Sequence, residues 1–242
     1  MISTLASLTF RALLNRRRTL LLGLLGGVIV VVAVVYRLSA SADAEALDFT
    51  GRLLANFGVA FLLPLVAVIV GTAALGSELD DGTIVYLLAK PIPRSVIVFV
   101  KLAVAWLMTA LLVTLPILLA GVIGSGGDPG LGIGYGLAAL LGALEYTAVF
   151  LALSLVTSRA LVIGLAYVVV WEGVVAGLFA GTRIASTRQH VPAVADALNG
   201  EGGVASELDL RTGLLVGGIV TIAAIVLAVW RLSTVELRGE TG

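Results

Sequence analysis

Long apolar runs separated by short polar stretches dominate the chain. A helix needs roughly 20 apolar residues to cross a hydrocarbon core about 30 Å thick, and six windows of the sequence reach or approach that length. We expect helices because lipid leaves isolated backbone groups unpaired, and because the alternation typical of β-barrel strands is missing. The six predicted spans cover residues 19–36, 53–75, 96–123, 131–155, 160–180 and 212–230.

Composition agrees with a membrane protein. Hydrophobic residues make up 60% of the 242 residues and charged residues only 12%, with a mean hydropathy of +1.13. The apolar content exceeds that of an ordinary soluble domain and the charged content falls below it, so we predict an all-α, polytopic membrane protein with a single transmembrane domain over residues 1–242. The zero net charge and the lack of cysteine argue against nucleic acid as a partner and against thiolate metal sites or thiol nucleophiles.

Lysine and arginine counts predict the orientation. If the N-terminus is cytoplasmic, ten of the fifteen basic residues lie inside and five outside, so the positive-inside rule places both termini in the cytosol and the protein in the inner (plasma) membrane. The inside set is Arg11, Arg16, Arg17, Arg18, Lys90, Arg94, Lys101, Arg159, Arg231 and Arg238. Apolar residues at helical spacing within residues 1–18 predict an interfacial helix; an unstructured basic flank is the alternative.

A polar segment at residues 77–93 separates the second and third spans. Acidic residues open it, Gly82 and Thr83 form a turn or cap, an apolar stripe follows, and Pro91 and Pro93 forbid continuation of a helix. This pattern predicts a short amphipathic helix on the cytoplasmic side, with Lys101 marking the inner start of the third span. A charged loop that only keeps the span ends in water is the alternative.

The polar segment resembles the signature of ABC-2 type permeases, the membrane subunits of a class of ATP-binding-cassette transporters. The matching residues are Glu78, Gly82, Thr83, Leu87, Leu88, Pro91, Ile92, Arg94 and Lys101. The resemblance implies six transmembrane helices, an N-terminal interfacial helix and a cytoplasmic coupling helix, as in type V exporters. It implies that an ATPase docks through Glu78, Asp81, Gly82, Thr83, Leu87, Leu88, Pro91 and Arg94. Residues 171–173 and 181–186 also resemble the NosY-like branch.

The same resemblance implies a division of labour between chains. A separate ABC ATPase, in two copies, would bind ATP and Mg, and a second copy of this permease or a related permease would complete an export pathway through the lipid bilayer. The sequence is consistent with this, because it contains no G-x-x-x-x-G-K-[ST] loop. We therefore predict that the chain is not an enzyme by itself and binds no cofactor or metal; the substrate is not predicted.

Two glutamates, Glu145 and Glu172, lie within predicted spans. Ionisable groups in lipid are costly unless they are partnered or hydrated, and at about 1.5 Å per residue both fall near the same mid-bilayer depth. We expect them to be neighbours that bind a cationic substrate or form hydrogen bonds inside the bundle. Packing through bonds to Tyr146, Thr147 or Trp171 is equally consistent. A proton-coupled secondary transporter using both glutamates is the alternative function; an intramembrane enzyme or assembly factor is a third.

The outer loop at residues 181–211 is the longest polar connection. Val191, Val194, Ala195 and Leu198 are spaced to line one face of a short helix after Pro192, which predicts an interfacial or partly re-entrant element. His190 is the single histidine. With no cysteine nearby, we expect it to face solvent rather than to bind a metal.

Overall fold

The chain is helical throughout the part that the structure describes. This computed structural model describes residues 2–14, 17–39, 43–88, 92–126, 129–178, 180–199, 206 and 208–234, with no strand among them. The α-helices are α1 Ile2–Leu14, α2 Arg17–Ser39, α3 Asp43–Leu53, α4 Leu63–Asp80, α5 Ile84–Leu88, α6 Arg94–Thr109, α7 Leu115–Gly124, α8 Gly130–Val156, α9 Ala160–Ala166, α10 Ala176–Leu178, α11 Thr187–Asn199 and α12 Leu210–Ser233. The π-helical segments are Leu54–Leu62, Ala110–Thr114 and Tyr167–Val175, and Ala180–Ala185 is a 3-10 helix.

Several of these helices join into rods long enough to cross a bilayer. Five such rods occur in the described residues: Arg17–Ser39, Glu45–Asp80, Arg94–Gly124, Gly130–Val156 and Leu210–Ser233. The fifth predicted span corresponds to a shorter apolar helix, Ala160–Val175. The molecule is thus an all-α, multi-pass membrane protein, and the count of six crossings remains a prediction.

The second rod begins earlier than the sequence predicted. Residues from Asp43 onward are helical, although the apolar pattern marks a span only from about residue 53 and treats what precedes it as a connection. An aromatic stack between Tyr36 and Phe49, with ring centroids 3.6 Å apart, holds this extension against α2. Ala46 and Thr50 are buried in the same region. The amphipathic surface of α3 therefore packs as a helix even though its composition is too polar to read as a span.

Proline residues mark where two rods change their winding. The π segments Leu54–Leu62 and Ala110–Thr114 each end two residues before a proline, Pro64 or Pro116. Proline has no N–H group and its ring crowds the carbonyl four residues earlier, so the preceding turn widens. Each rod stays continuous through its π segment.

Helix α8 is the centre of the bundle and packs on α4, α7, α11 and α12. Small residues bring its neighbours very close: a Cβ on Gly121 of α7 would lie 2.3 Å from the Gly132 Cα of α8, and a Cβ on Gly142 would lie 2.3 Å from the Val191 side chain. Side chains larger than hydrogen do not fit at these contacts, as in other small-residue helix interfaces in membranes. Tyr135, Tyr146 and Phe150 fill the rest of the core.

The chain folds back into the bundle after Leu178. Helix α11 starts beside Glu145, halfway along α8, where Thr187 Oγ1 donates to Glu145 Oε1 at 2.8 Å, and then runs beside Gly142 of α8 and Gly213 of α12. Residues 180–199 thus pack against the bundle, and because α11 begins at Thr187, Pro192 lies inside the helix rather than before it as the sequence predicted. Helix α12 follows, and Asp209 caps it by accepting a bond from the Thr212 N–H at 3.1 Å. Hydrogen bonds with the side chain and then the backbone of Thr212 lower the pKa of Asp209.

Candidate functional site

The polar segment between the second and third rods forms an exposed turn and one short helix. Asp81, Gly82 and Thr83 are exposed, and Gly82 adopts a φ of 67° that favours glycine. Helix α5 follows; it buries Ile84 and Leu88 and leaves Tyr86 77% exposed. The short helix is therefore amphipathic: Ile84 and Leu88 face the bundle, and Tyr86 faces outward.

Glu78 lies on the last turn of α4 rather than at the start of the short helix. Its carboxylate accepts a hydrogen bond from Lys101 Nζ and forms an ion pair with it. The side chain of Lys101 is only 2% exposed, so it does not reach the lipid headgroups as the sequence suggested. The pair instead ties the end of the second rod to the beginning of the third.

Arg94 supports the other end of the short helix. Its Nη1 donates to the Leu88 carbonyl at 3.4 Å, and a basic side chain at this position satisfies an end carbonyl of α5. Leu87 is partly buried and lies in the groove described next. Pro91 and Lys90 fall outside the described residues.

A groove of about 580 Å³ lies between α1 and the polar segment. Its lining residues are Thr4, Leu5, Leu8, Thr9, Glu78, Thr83, Tyr86, Leu87 and Ile92. Leu8 and Tyr86 are large, exposed and apolar or amphipathic, which is the composition of surfaces that bind protein partners. The N-terminal helix and the short helix thus form one continuous surface.

Glu172 holds the start of α11. Its carboxylate accepts bonds from the backbone N–H groups of Thr187 at 3.1 Å and Arg188 at 3.3 Å, and from the Ser186 hydroxyl. The Tyr167 hydroxyl donates a fourth bond at 3.0 Å. A carboxylate is favourable at a helix N-terminus, where backbone N–H groups have no intrahelical partner. Glu172 therefore acts as a cap supplied by a neighbouring helix.

Glu145 pairs with His190, which corrects the expectation that His190 faces solvent. His190 is 3% exposed, and its Nδ1 lies 3.0 Å from Glu145 Oε1 and 3.2 Å from Oε2. Its Nε2 lies 2.7 Å from the Ile184 carbonyl oxygen. Because a carbonyl only accepts, Nε2 carries a proton, and the bond between Nδ1 and Glu145 requires one further proton shared by ring and carboxyl.

The two glutamates are connected, as their depth predicted, but through partners that the sequence did not indicate. Thr187 bonds to both, through its hydroxyl to Glu145 and through its N–H to Glu172. Two of the residues that the packing alternative proposed bond elsewhere: Thr147 Oγ1 donates to the Ala143 carbonyl at 2.6 Å, and Trp171 Nε1 donates to the Ala185 carbonyl at 3.4 Å. The sequence did contain a signal for the start of α11, because Ser186 to Gln189 follow the S-x-x-Q pattern typical of a helix N-terminus.

Comparisons with known proteins agree with this architecture. A family model described as ABC-2 family transporter protein matches residues 14–183, which is more than half of the chain. The match includes the polar segment and both glutamates and stops before α11. No curated protein matches the sequence.

Proposed function

The chain belongs to the ABC-2 transporter family, and we propose that it is the permease subunit of an ATP-driven exporter whose ATPase is a separate chain. The family assignment makes it a membrane transport component. The observation that carries the finer proposal is the exposed surface that α1 and α5 form at one end of the bundle. A soluble ATPase needs such a surface, because the rods themselves are covered by lipid.

The arrangement of the polar segment supports its use as a coupling element. Helix α5 lies between the ends of α4 and α6, and the Glu78–Lys101 ion pair fixes those ends to each other. A displacement of α5 by a docked partner would therefore move both rods together rather than bend a loop. Movement of α4 reaches the centre of the bundle, since α4 packs along α8. This is how closure of two ATPase subunits would be conveyed to a pathway.

The proposed assembly contains two permeases and two ATPases. ATP and Mg would be held by the ATPases, and the second permease would be another copy or a related chain. Residues 160–178, which we call the fifth segment, suit contact with that second permease, because Val162, Val169, Val170 and Leu178 are well exposed there. Inner-membrane location and cytoplasmic termini are part of the same proposal and rest on the distribution of basic residues.

Tyr86→Arg tests the docking surface. The side chain is exposed and makes no core contact, so the variant should fold while placing a bulky charge at the centre of the interface. We expect co-purification of the cognate ATPase to fall at least about tenfold, as loss of one aromatic contact of about 1.4 kcal/mol or more implies. Leu198→Arg is the matched control, because Leu198 is 50% exposed on α11 at the other end of the molecule.

Retention of the ATPase by Tyr86→Arg, or equal loss in Leu198→Arg, would contradict docking at this surface. Substitutions at Glu78 or Leu88 are less suitable, because Glu78 is paired with Lys101 and Leu88 is buried. Either change would damage the fold and make lost binding uninformative.

A proton-coupled secondary transporter is the second candidate, and the Glu145–His190 pair favours it because it shares a proton within the bundle. Proteoliposomes distinguish the two functions. An exporter requires ATP and the ATPase for transport, whereas a secondary transporter accumulates substrate in response to a pH gradient with the permease alone.

A further inference from the structure

A cavity of about 230 Å³ lies between α8, α11 and α12. Its lining is mostly aliphatic side chains and glycines, together with Glu145, His190 and Thr221. Leu141, Leu214 and Ile222 are exposed on rods that cross the membrane. The cavity therefore opens towards lipid, and an apolar chain can enter it from the bilayer.

Three side chains give this apolar cavity its polar character: Glu145, His190 and Thr221. The two oxygens of Glu145 differ, because Oε1 accepts from both Thr187 and His190, whereas Oε2 contacts His190 alone at 3.2 Å. A Cβ at Gly217 would lie 2.9 Å from Oε2. Glu145 is only 4% exposed, and glycine at position 217 is what leaves room beside this carboxylate oxygen.

We propose that the cavity binds a lipophilic amine, with its ammonium group at Glu145 and its apolar chain between α8 and α12. An ammonium group is costly to bury unless it meets a carboxylate, and Glu145 supplies one. The apolar lining gains free energy from covering a hydrocarbon chain. An anionic head group would face the carboxylate unfavourably, and a neutral alcohol would gain no charge pairing.

Binding exchanges one proton for the ammonium ion. In the empty site, Glu145 and the His190 ring share a single proton at Nδ1, and the pair is neutral overall. The incoming ammonium pairs with the Glu145 carboxylate, the proton leaves to water, and His190 remains neutral with its Nε2–H on Ile184. The Nδ1 lone pair then accepts from the ammonium. Thr221 Oγ1 also accepts a bond from the ammonium, because its own hydrogen is donated to the Gly217 carbonyl.

Two charged side chains on the neighbouring elements, Glu172 and Arg188, lie near this place. Glu172 on the fifth segment is linked to Glu145 through Thr187 and remains an acceptor of four bonds. Tyr146 on α8 and Tyr167 on the fifth segment are neutral hydroxyls in the same cluster. Arg188 on α11 is the nearby cation, and its guanidinium is turned to the Glu172 carbonyl at 3.4 Å.

This binding site exists whether or not the chain is an exporter, but its occupant is export cargo only if the proposed function holds. The test therefore uses the permease alone, without an ATPase. Purified permease in nanodiscs is titrated with decylamine, decanol and decanoate by calorimetry, and the heats for empty nanodiscs are subtracted. The amine stays charged in the working range because alkyl ammonium groups titrate near the lysine value of about 10.4.

Three variants separate the role of the carboxylate from that of the cavity. Glu145→Gln keeps the size of the side chain and removes the charge. Gly218→Leu fills the cavity, since Gly218 lines it and has open space where a side chain would begin. Gly27→Leu is its matched control, because Gly27 on α2 has equally open space and lies outside the cavity. Both glycine replacements improve helix propensity, so neither should prevent folding.

We expect decylamine to bind at least ten times more tightly than decanol or decanoate, and Glu145→Gln and Gly218→Leu each to weaken its Kd at least tenfold. Gly27→Leu should bind as the unaltered protein does. Titrations in two buffers of different ionisation heat should show release of about one proton, and affinity should fall by up to about tenfold per pH unit below neutrality. Equal binding of decanol, unchanged binding by Glu145→Gln, or no proton release would overturn the proposal.

Discussion

At the scale of single residues, the unequal burial of Glu78 and Lys101 predicts which of the two substitutions destabilises the fold more. The Lys101 side chain is 2% exposed and the Glu78 side chain 31%. Removing Glu78 leaves the deeply buried Lys101 ammonium without its partner, whereas removing Lys101 leaves a carboxylate on a side chain that is only partly buried, although its Oε2 is buried without a partner. A buried charge without its partner is strongly destabilising, so the two single substitutions should have unequal effects.

We expect Glu78→Gln to lower the free energy of unfolding by about 3 kcal/mol and Lys101→Met by about 1 kcal/mol. The double variant should resemble Lys101→Met alone, because it leaves no unpaired buried charge. Denaturant unfolding of the detergent-solubilised permease measures all three. Additive losses in the double variant would show that the two side chains do not stabilise the fold as a pair.

At the scale of elements, Glu172 and Glu145 have different tasks although both lie in one cluster. Glu172 accepts from the first backbone N–H groups of α11, whereas Glu145 bonds only to side chains of that helix. Glu172→Ala should therefore release the start of α11 and speed hydrogen exchange at residues 187–190 by about tenfold, a change of about 1.4 kcal/mol in local opening.

Glu145→Gln serves as the comparison in the same exchange experiment. It keeps an acceptor for Thr187 and removes no bond to the backbone of α11, so amide exchange at residues 187–190 should change little. Similar acceleration by both substitutions would mean that the cluster opens as one unit, and that Glu172 is not a specific cap.

The sequence predicted the rods better than it predicted what connects them. Apolar runs predict the bounds of α2, α8 and α12 closely, because lipid imposes a length and a composition on any helix that crosses it. Helix α11 has no such signal, since its residues are polar enough for water and its burial depends on Gly142 and Gly213 leaving room beside it. Counting residues along the spans predicted that Glu145 and Glu172 lie at a similar depth, and in the structure Thr187 bonds to both carboxylates.

For a related reason, the sequence did not predict the contacts that single side chains make. His190 follows a stretch that reads as surface loop, and only the return of the chain to mid-bilayer depth places its ring against Glu145. Glu78 reads as the start of a polar helix because nothing in the pattern shows that α4 continues to Asp80. In both cases the missing information is tertiary packing rather than local preference.

At the scale of the whole molecule, the two ends of the bundle carry different surfaces, and their sides of the membrane can be tested directly. The chain contains no cysteine, so a single introduced thiol is the only site for a maleimide. Tyr86 is exposed on α5 at one end and Leu198 on α11 at the other. The excess of basic residues assigned to the inside predicts that the α5 end is cytoplasmic.

We therefore expect a membrane-impermeant maleimide to label Tyr86→Cys in inside-out vesicles and not in right-side-out vesicles, with the reverse result for Leu198→Cys. Gel shift with a polyethylene-glycol maleimide reads the labelled fraction, and detergent lysis gives the full signal for each variant. Labelling of Tyr86→Cys from the outer side would place the α1–α5 surface beyond the reach of any cytoplasmic ATPase. The same result would leave the α11 end inside and contradict the orientation on which docking depends. The proposed amine site between α8 and α12 would be unaffected, because its binding test does not depend on orientation.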